Sequence, residues 1–204
     1  MLSKPVGTDW EQDENRVRTR CLYLRKVIFY FLNMFKFYEV ATSLKAYANS
    51  SKSKDEQLAI AYGRTSFNRY YYACYLSARD LVKTLIPGIA FQHGEAPQLL
   101  EVNVVNLITK SLEQQSKKGL IPAGEAARKK ASVHQSATEI SRILKVGYMI
   151  RGIADYEPEV VVVFEHNTFS LEKHTESEAS SWLRSVEIHK GKILHLAKEL
   201  GIVS

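Results

Sequence analysis

A chain of 204 residues, 45% hydrophobic and 25% charged, suits one globular domain and is ample for a packed core. Its net charge of +6 is compatible with nucleic acid binding and equally with an ordinary basic surface. The two cysteines, Cys21 and Cys74, sit among apolar residues and read as buried free thiols, which argues against a disulfide framework and favours a reducing, cytoplasmic compartment.

Residues 1–15 are polar, contain Pro5 and Gly7, and read as a loose tail; residues 16–204 read as a single helical domain. The first helix is expected from Arg16 to about Ala48, with Leu24, Ile28, Phe31, Phe35, Tyr38 and Ala41 on one apolar face and Phe29, Leu32 and Val40 on a second. Two apolar faces need two partners, the domain core and a second subunit. The run Val27–Phe35 follows five basic residues, as a signal peptide would. It lacks a small-residue cleavage site, is interrupted by Lys36 and is too short to span a bilayer, so no membrane association is expected.

After the polar break Asn49–Lys54, Ser53 and Glu56 have capping-box spacing, and a second helix is expected from Lys54 to Leu85, stopped by Pro87-Gly88 and kinked or divided at Gly63. A loop holding His93-Gly94 leads to a third helix over Pro97–Lys117. Gly119 and Pro122 break the pattern. A fourth helix is expected over Ser132–Ala154, with a separate short helix at Gly124–Lys130 before it. The β-branched run Val160–Phe164 reads as a short strand or an extended linker. Thr175 and Glu178 form a second capping box, opening a fifth helix that buries Ala179, Trp182, Leu183, Val186, Ile193 and Leu196 and stops at Gly201. The fold class is therefore all-α, a bundle of about five helices with one short extended segment near 160–164.

Two stretches carry candidate chemistry. On the second helix Tyr71, Cys74, Tyr75, Ala78, Val82 and Leu85 form one side, and Arg69, Tyr72, Leu76, Arg79 and Lys83 the other. A basic stripe interleaved with an aromatic suits phosphate contact and base stacking, or else a solvated salt-bridging face. On the fourth helix Arg151 and Asp155 are one turn apart and Tyr156 follows, which suits either a surface ion pair or a guanidinium aimed at a phosphate. The histidines His134, His166, His174, His189 and His195 show no zinc-ligand spacing with the cysteines, and there is no phosphate-binding glycine loop and no nucleophile turn, so no metal or cofactor is expected.

The stretch Asn68–Asp80 (NRYYYACYLSARD) resembles the signature of small prokaryotic HEPN proteins: an Arg, paired tyrosines with Ala, then a later Ala-Arg. Arg151–Tyr156 (RGIADY) resembles the second signature of the same subgroup, and His93 matches a histidine common between the two. The resemblance spans about Tyr38–Leu200. It implies a helical bundle that dimerises with the second motif facing the partner across a cleft. It also implies, in active members, a metal-independent ribonuclease whose motif is an Arg, four to six residues, then a His. A histidine near neutral pKa can move the 2′-hydroxyl proton, and the arginine can stabilise charge developing on the phosphate. Here Arg151 matches the arginine, but Tyr156 stands where the histidine belongs, and a phenol of ordinary pKa is a poor base at pH 7.

Three readings follow. The leading one is an RNA- or nucleotide-interacting homodimer of a prokaryotic toxin–antitoxin or antiviral defence system, with a degenerate ribonuclease motif. In it Arg69, Tyr72, Arg79 and Arg151 contact phosphate or base, Asp155 supports them, and a nucleotidyltransferase antitoxin or a defence complex is the partner. The second is an endoribonuclease toxin using Arg151, Tyr156 and His93. The third is a purely structural assembly subunit.

Overall fold

The computed structural model describes residues 34–203. The expected tail, the start of the first helix at Arg16, Cys21 and most of the apolar run from Val27 lie outside these residues. The described chain is a bundle of five helices with a three-stranded antiparallel sheet. We number them α1 (residues 34–51), α2 (Glu56–Leu85), α3 (residues 96–117), α4 (Ala123–Tyr156) and α5 (Glu176–Glu199). The strands are β1 (Val162–Glu165), β2 (Thr168–Leu171) and β3 (His174–Thr175).

The centre is a triangle of α2, α4 and α5, with α3 lying along α4. The residues expected to be buried on α2 and α5 are buried, because their three- and four-residue spacing puts each set on one stripe. On α1 the inward stripe is Met34, Ala41 and Ala48, while Phe35, expected in the core, is exposed. Its Tyr38 packs edge-on against Tyr70 of α2 at 5.6 Å.

Several boundaries differ from expectation. The cap of α2 is Asp55 and not Ser53: residues 52–54 form a turn, and the Asp55 carboxylate accepts from the Leu58 N–H at 3.0 Å. Gly63 neither kinks nor divides α2; its missing side chain makes room for the sheet, since a Cβ there would meet Val162 Cγ1 at 3.2 Å and the Phe169 ring at 3.4 Å. The separate helix before Ser132 does not exist: α4 runs unbroken for 34 residues from Ala123, because Ala126, Ala127, Arg128, Lys129, Lys130 and Ala131 are all strong helix formers. Within α3 the segment Leu99–Val104 takes the wider π form.

The run Val160–Phe164 supplies β1, which pairs with β2 in the register Val162 to Leu171 and Glu165 to Thr168, and β2 pairs with β3. Val162, Phe169 and Leu171 are buried, so the sheet is sealed against α2 and α5 and is not a free ribbon. The expected cap at Thr175 is present, its hydroxyl accepting from the Glu178 N–H at 3.1 Å. The Glu178 carboxylate stands 3.2 Å from His174 Nδ1. Gly201 (φ 68°) closes α5 with the paired bonds of a left-handed stop, Gly201 N–H to Lys198 O and Ile202 N–H to Ala197 O. Among the described residues no helix is long and apolar enough to cross a membrane.

Candidate functional site

Asn68, Tyr71, Tyr72, Tyr75 and Arg79 recur on α2 at steps of three and four, so all five occupy one sector of about 100°. The two faces assigned to α2 from sequence are therefore adjacent and not opposed: Tyr71 and Tyr75 belong to the core stripe, Tyr72 and Arg79 to its margin. On α4 the same spacing joins Gly147, Tyr148, Arg151 and Asp155. The two stripes meet at Gly147, where a Cβ would fall 2.9 Å from Tyr71 Cδ2 and 3.4 Å from the Trp182 ring. Gly147→Ala is expected to push α4 off Tyr71 and cost about 1 to 3 kcal/mol, read as a lowered midpoint in urea unfolding.

His93 enters this seam from a short 3-10 turn, His93–Glu95, whose start is fixed by the Gln92 N–H donating to the Glu95 carboxylate at 2.6 Å. Its imidazole stacks on Tyr75 (centroids 3.7 Å apart, planes at 21°) and meets Tyr72 edge-on at 5.3 Å. Its Nδ1 is 3.2 Å from the Tyr71 hydroxyl. Tyr148 of α4 closes against Tyr71 at 6.0 Å. Burial lowers the basicity of His93, and the Arg151 and Arg79 guanidiniums lower it further, so the ring is neutral at pH 7. Burial moves Tyr71 and Tyr75 the other way, upward, and at Tyr71 neighbouring tyrosines add to a shift that takes it well above an ordinary phenol.

Arg151 stands at the open edge of the seam. Its Nε is 2.8 Å from Asp155 Oδ2 but off the N–H direction, so that contact is ionic and the buried Nε proton has no hydrogen-bond acceptor. An Nη proton reaches the Tyr156 hydroxyl at 3.2 Å, with the guanidinium carbon 5.2 Å from the Tyr156 ring centre. Burial opposes the Arg151 charge, but the Tyr156 hydroxyl and the Asp155 carboxylate outweigh it and raise its affinity for the proton. Asp155 is held from α2 by Asn68, whose amide donates to both carboxylate oxygens at 2.7 and 3.0 Å. Arg151, Asp155, Tyr156, His93, Tyr72 and Arg79 are thus brought to one seam. Arg69 turns towards α1, its guanidinium 5.4 Å from the Phe37 ring centre, and joins the others only through Phe37, which stacks on Tyr72 at 5.8 Å.

The end of α4 that carries Asp155 and Tyr156 is tied down by Arg64 of α2. Its guanidinium donates to the carbonyls of Ile153 (2.6 Å), Ala154 (2.9 Å), Glu157 (2.8 Å) and Val160 (2.5 Å). Of these, the Ala154 carbonyl is the last-turn acceptor that the helix C-terminus leaves without a backbone partner; Ile153 and Glu157 also accept from the Glu157 and Val160 N–H groups, and Val160 belongs to the segment that follows the helix. Sequence reasoning passed over Arg64 and Tyr148, gave Asn68 no role of its own, took Gly147 as part of the apolar stripe of the fourth helix, and placed Tyr71 and Tyr75 on one side of α2 without assigning them to the site. A signal was present for Asn68, which shares the stripe of Tyr72 and Arg79.

No family model, curated protein or solved structure matches this chain. The chemistry of the seam is therefore argued from its own groups. It offers fixed positive charge on Arg151 and Arg79, a neutral imidazole, and a wall of tyrosines, with no cluster of three metal-ligating side chains among the described residues. That combination suits a ligand carrying both phosphate and a flat base.

Proposed function

We propose that this protein binds RNA through the seam between α2 and α4, as a HEPN-like module of a prokaryotic toxin–antitoxin or antiviral defence system with a degenerate ribonuclease motif. The observation that carries the reading is the partly exposed Arg151 guanidinium, fixed by Asp155 and Tyr156 beside the aromatic cluster around His93. A charged donor held in place beside stacking surfaces contacts a phosphate at little ordering cost.

A homodimer supports the same reading. Tyr148, Met149 and Tyr156 are exposed along one stripe of α4 beside Arg151, with half-buried Gly152 between them and open space over it. Two such stripes packed together would set two seams side by side in one basic cleft. The Tyr156 ring is also the most accessible aromatic of the site, as a nucleotidyltransferase antitoxin or a defence-complex partner would require.

Fluorescence anisotropy with labelled single-stranded RNA tests the proposal. Arg151→Ala should weaken binding about tenfold, the scale of one charge-assisted hydrogen bond. It should also flatten the slope of log affinity against log salt by about 0.7, the value for one lost contact to a single strand. Unchanged affinity with an unchanged slope would remove Arg151 from the interface.

A second reading, an endoribonuclease, is favoured by one observation: His93 is held neutral near two guanidiniums and can accept a proton where a phosphate would sit. Purified protein that leaves mixed RNA intact, or a His93→Ala protein that cleaves it equally well, would reject this reading while leaving binding untouched.

A further inference from the structure

Outside the seam, on the α1 side of α2, lies a groove of about 420 Å³ lined by Lys36, Phe37, Val40 and Arg69. It is continuous with the seam through rings: Phe37 stacks on Tyr72 with planes at 24°, and Tyr72 meets His93 edge-on. Ring contacts therefore run from this groove to the imidazole, stacked at Phe37–Tyr72 and edge-on at Tyr72–His93. Two cations flank the groove, Lys36 on α1 and Arg69 on α2, and the Arg69 guanidinium lies over Phe37. The Val40 side is exposed and apolar.

We propose that this groove is a stacking subsite for an unpaired nucleobase, adjoining the one at His93, so that the protein selects single-stranded RNA over duplex. Three features point the same way. The volume suits a flat ligand of base size. Bases stack on guanidinium planes as readily as on rings, and the Arg69–Phe37 pair offers both. The paired cations sit where the phosphates of a strand leaving the seam would pass. A duplex keeps its bases stacked on one another and cannot lay two of them on separate protein rings. The inference rests on the RNA-binding reading and extends it by a second nucleotide.

The test compares an eight-nucleotide single-stranded RNA with a blunt RNA duplex of the same length, both labelled, on the full chain. Wild type should bind the single strand at least tenfold more tightly. Phe37→Ala should weaken single-strand binding about tenfold, within the range measured for loss of one base–aromatic stack, and Phe37→Tyr should retain it. Because Phe37 also packs against Tyr72, a second variant avoids confusion with misfolding. Arg69→Lys keeps the charge but loses the plane, and should weaken binding with the salt slope unchanged. Single-strand binding that survives both Phe37→Ala and Arg69→Lys, or equal affinity for duplex, would overturn the subsite and leave RNA binding at the seam standing. Absence of binding to either RNA would overturn both.

Discussion

Replacing Arg64 with alanine is expected to cost about 2 to 4 kcal/mol of stability and to loosen the far end of α4, because four carbonyls lose a charged donor at once. Ile153, Ala154, Glu157 and Val160 would turn to water, and the turn carrying Asp155 and Tyr156 would lose its tether to α2. Arg64→Lys should restore little, since an ammonium presents its protons from one atom and cannot span acceptors spread over eight residues. Urea unfolding reads the first effect. Anisotropy with single-stranded RNA reads the second, as a weakened affinity even though Arg64 itself faces away from the ligand. An Arg64→Ala protein with the wild-type urea midpoint would contradict this account of the α4 terminus.

An effect at least as large is expected at the start of α5. Glu176 opens α5 with its carboxylate fully buried, 2.5 Å from Lys45 Nζ and accepting from the Tyr70 hydroxyl at 2.8 Å. Its place in the first turn of α5 favours a negative charge. Burial, and then the Glu176 charge, push the Tyr70 phenol far above its ordinary range, so it remains a donor at any working pH. Lys45→Met removes the cation and strands the carboxylate, at a cost of about 3 to 5 kcal/mol. That corresponds to a fall in melting temperature of about 10 °C for a chain of this size. The double variant Lys45→Met/Glu176→Gln should recover much of the loss, because no unpaired buried carboxylate then remains. Calorimetry on the two proteins decides it: equal melting temperatures for the single and double variants would show that the pair is not coupled.

These two anchors were not legible in the sequence, and the reason is the same for both. Arg64 binds backbone carbonyls some ninety residues away, and carbonyls carry no residue identity for a pattern to register. Glu176 reads locally as an ordinary acidic first turn, and only the fold brings Lys45 over it. What was legible is what depends on short-range spacing. The buried stripe of α5, from Ala179 to Leu196, follows from its period, and the Thr175 cap follows from a hydroxyl three residues before a free amide. At the start of α2 the same local rule pointed to Ser53, but residues 52–54 form a turn and the cap falls on Asp55. The sheet was half legible: Val160–Phe164 announces an extended run, but its partners are strands of four and two residues that gain their stability from Gly63 and the helices beneath. At the site, periodicity placed Arg151, Asp155 and Tyr156 on one helix end. It put Tyr71 and Tyr75 on one side of α2, where they are buried, and so missed that this face also carries the aromatic cluster around His93.

The direction in which its surroundings move each of these titrating groups of the seam has an electrical consequence. The imidazole of His93 is displaced downward, the phenols of Tyr71 and Tyr75 upward, and the guanidinium of Arg151 upward. These groups all retreat from the interval between about pH 6.5 and about pH 10 in which free histidine and tyrosine would change state. Within that interval these four side chains neither gain nor lose protons, so their combined contribution is a constant positive potential. An approaching polyanion would meet the same field from them in neutral and in mildly alkaline surroundings.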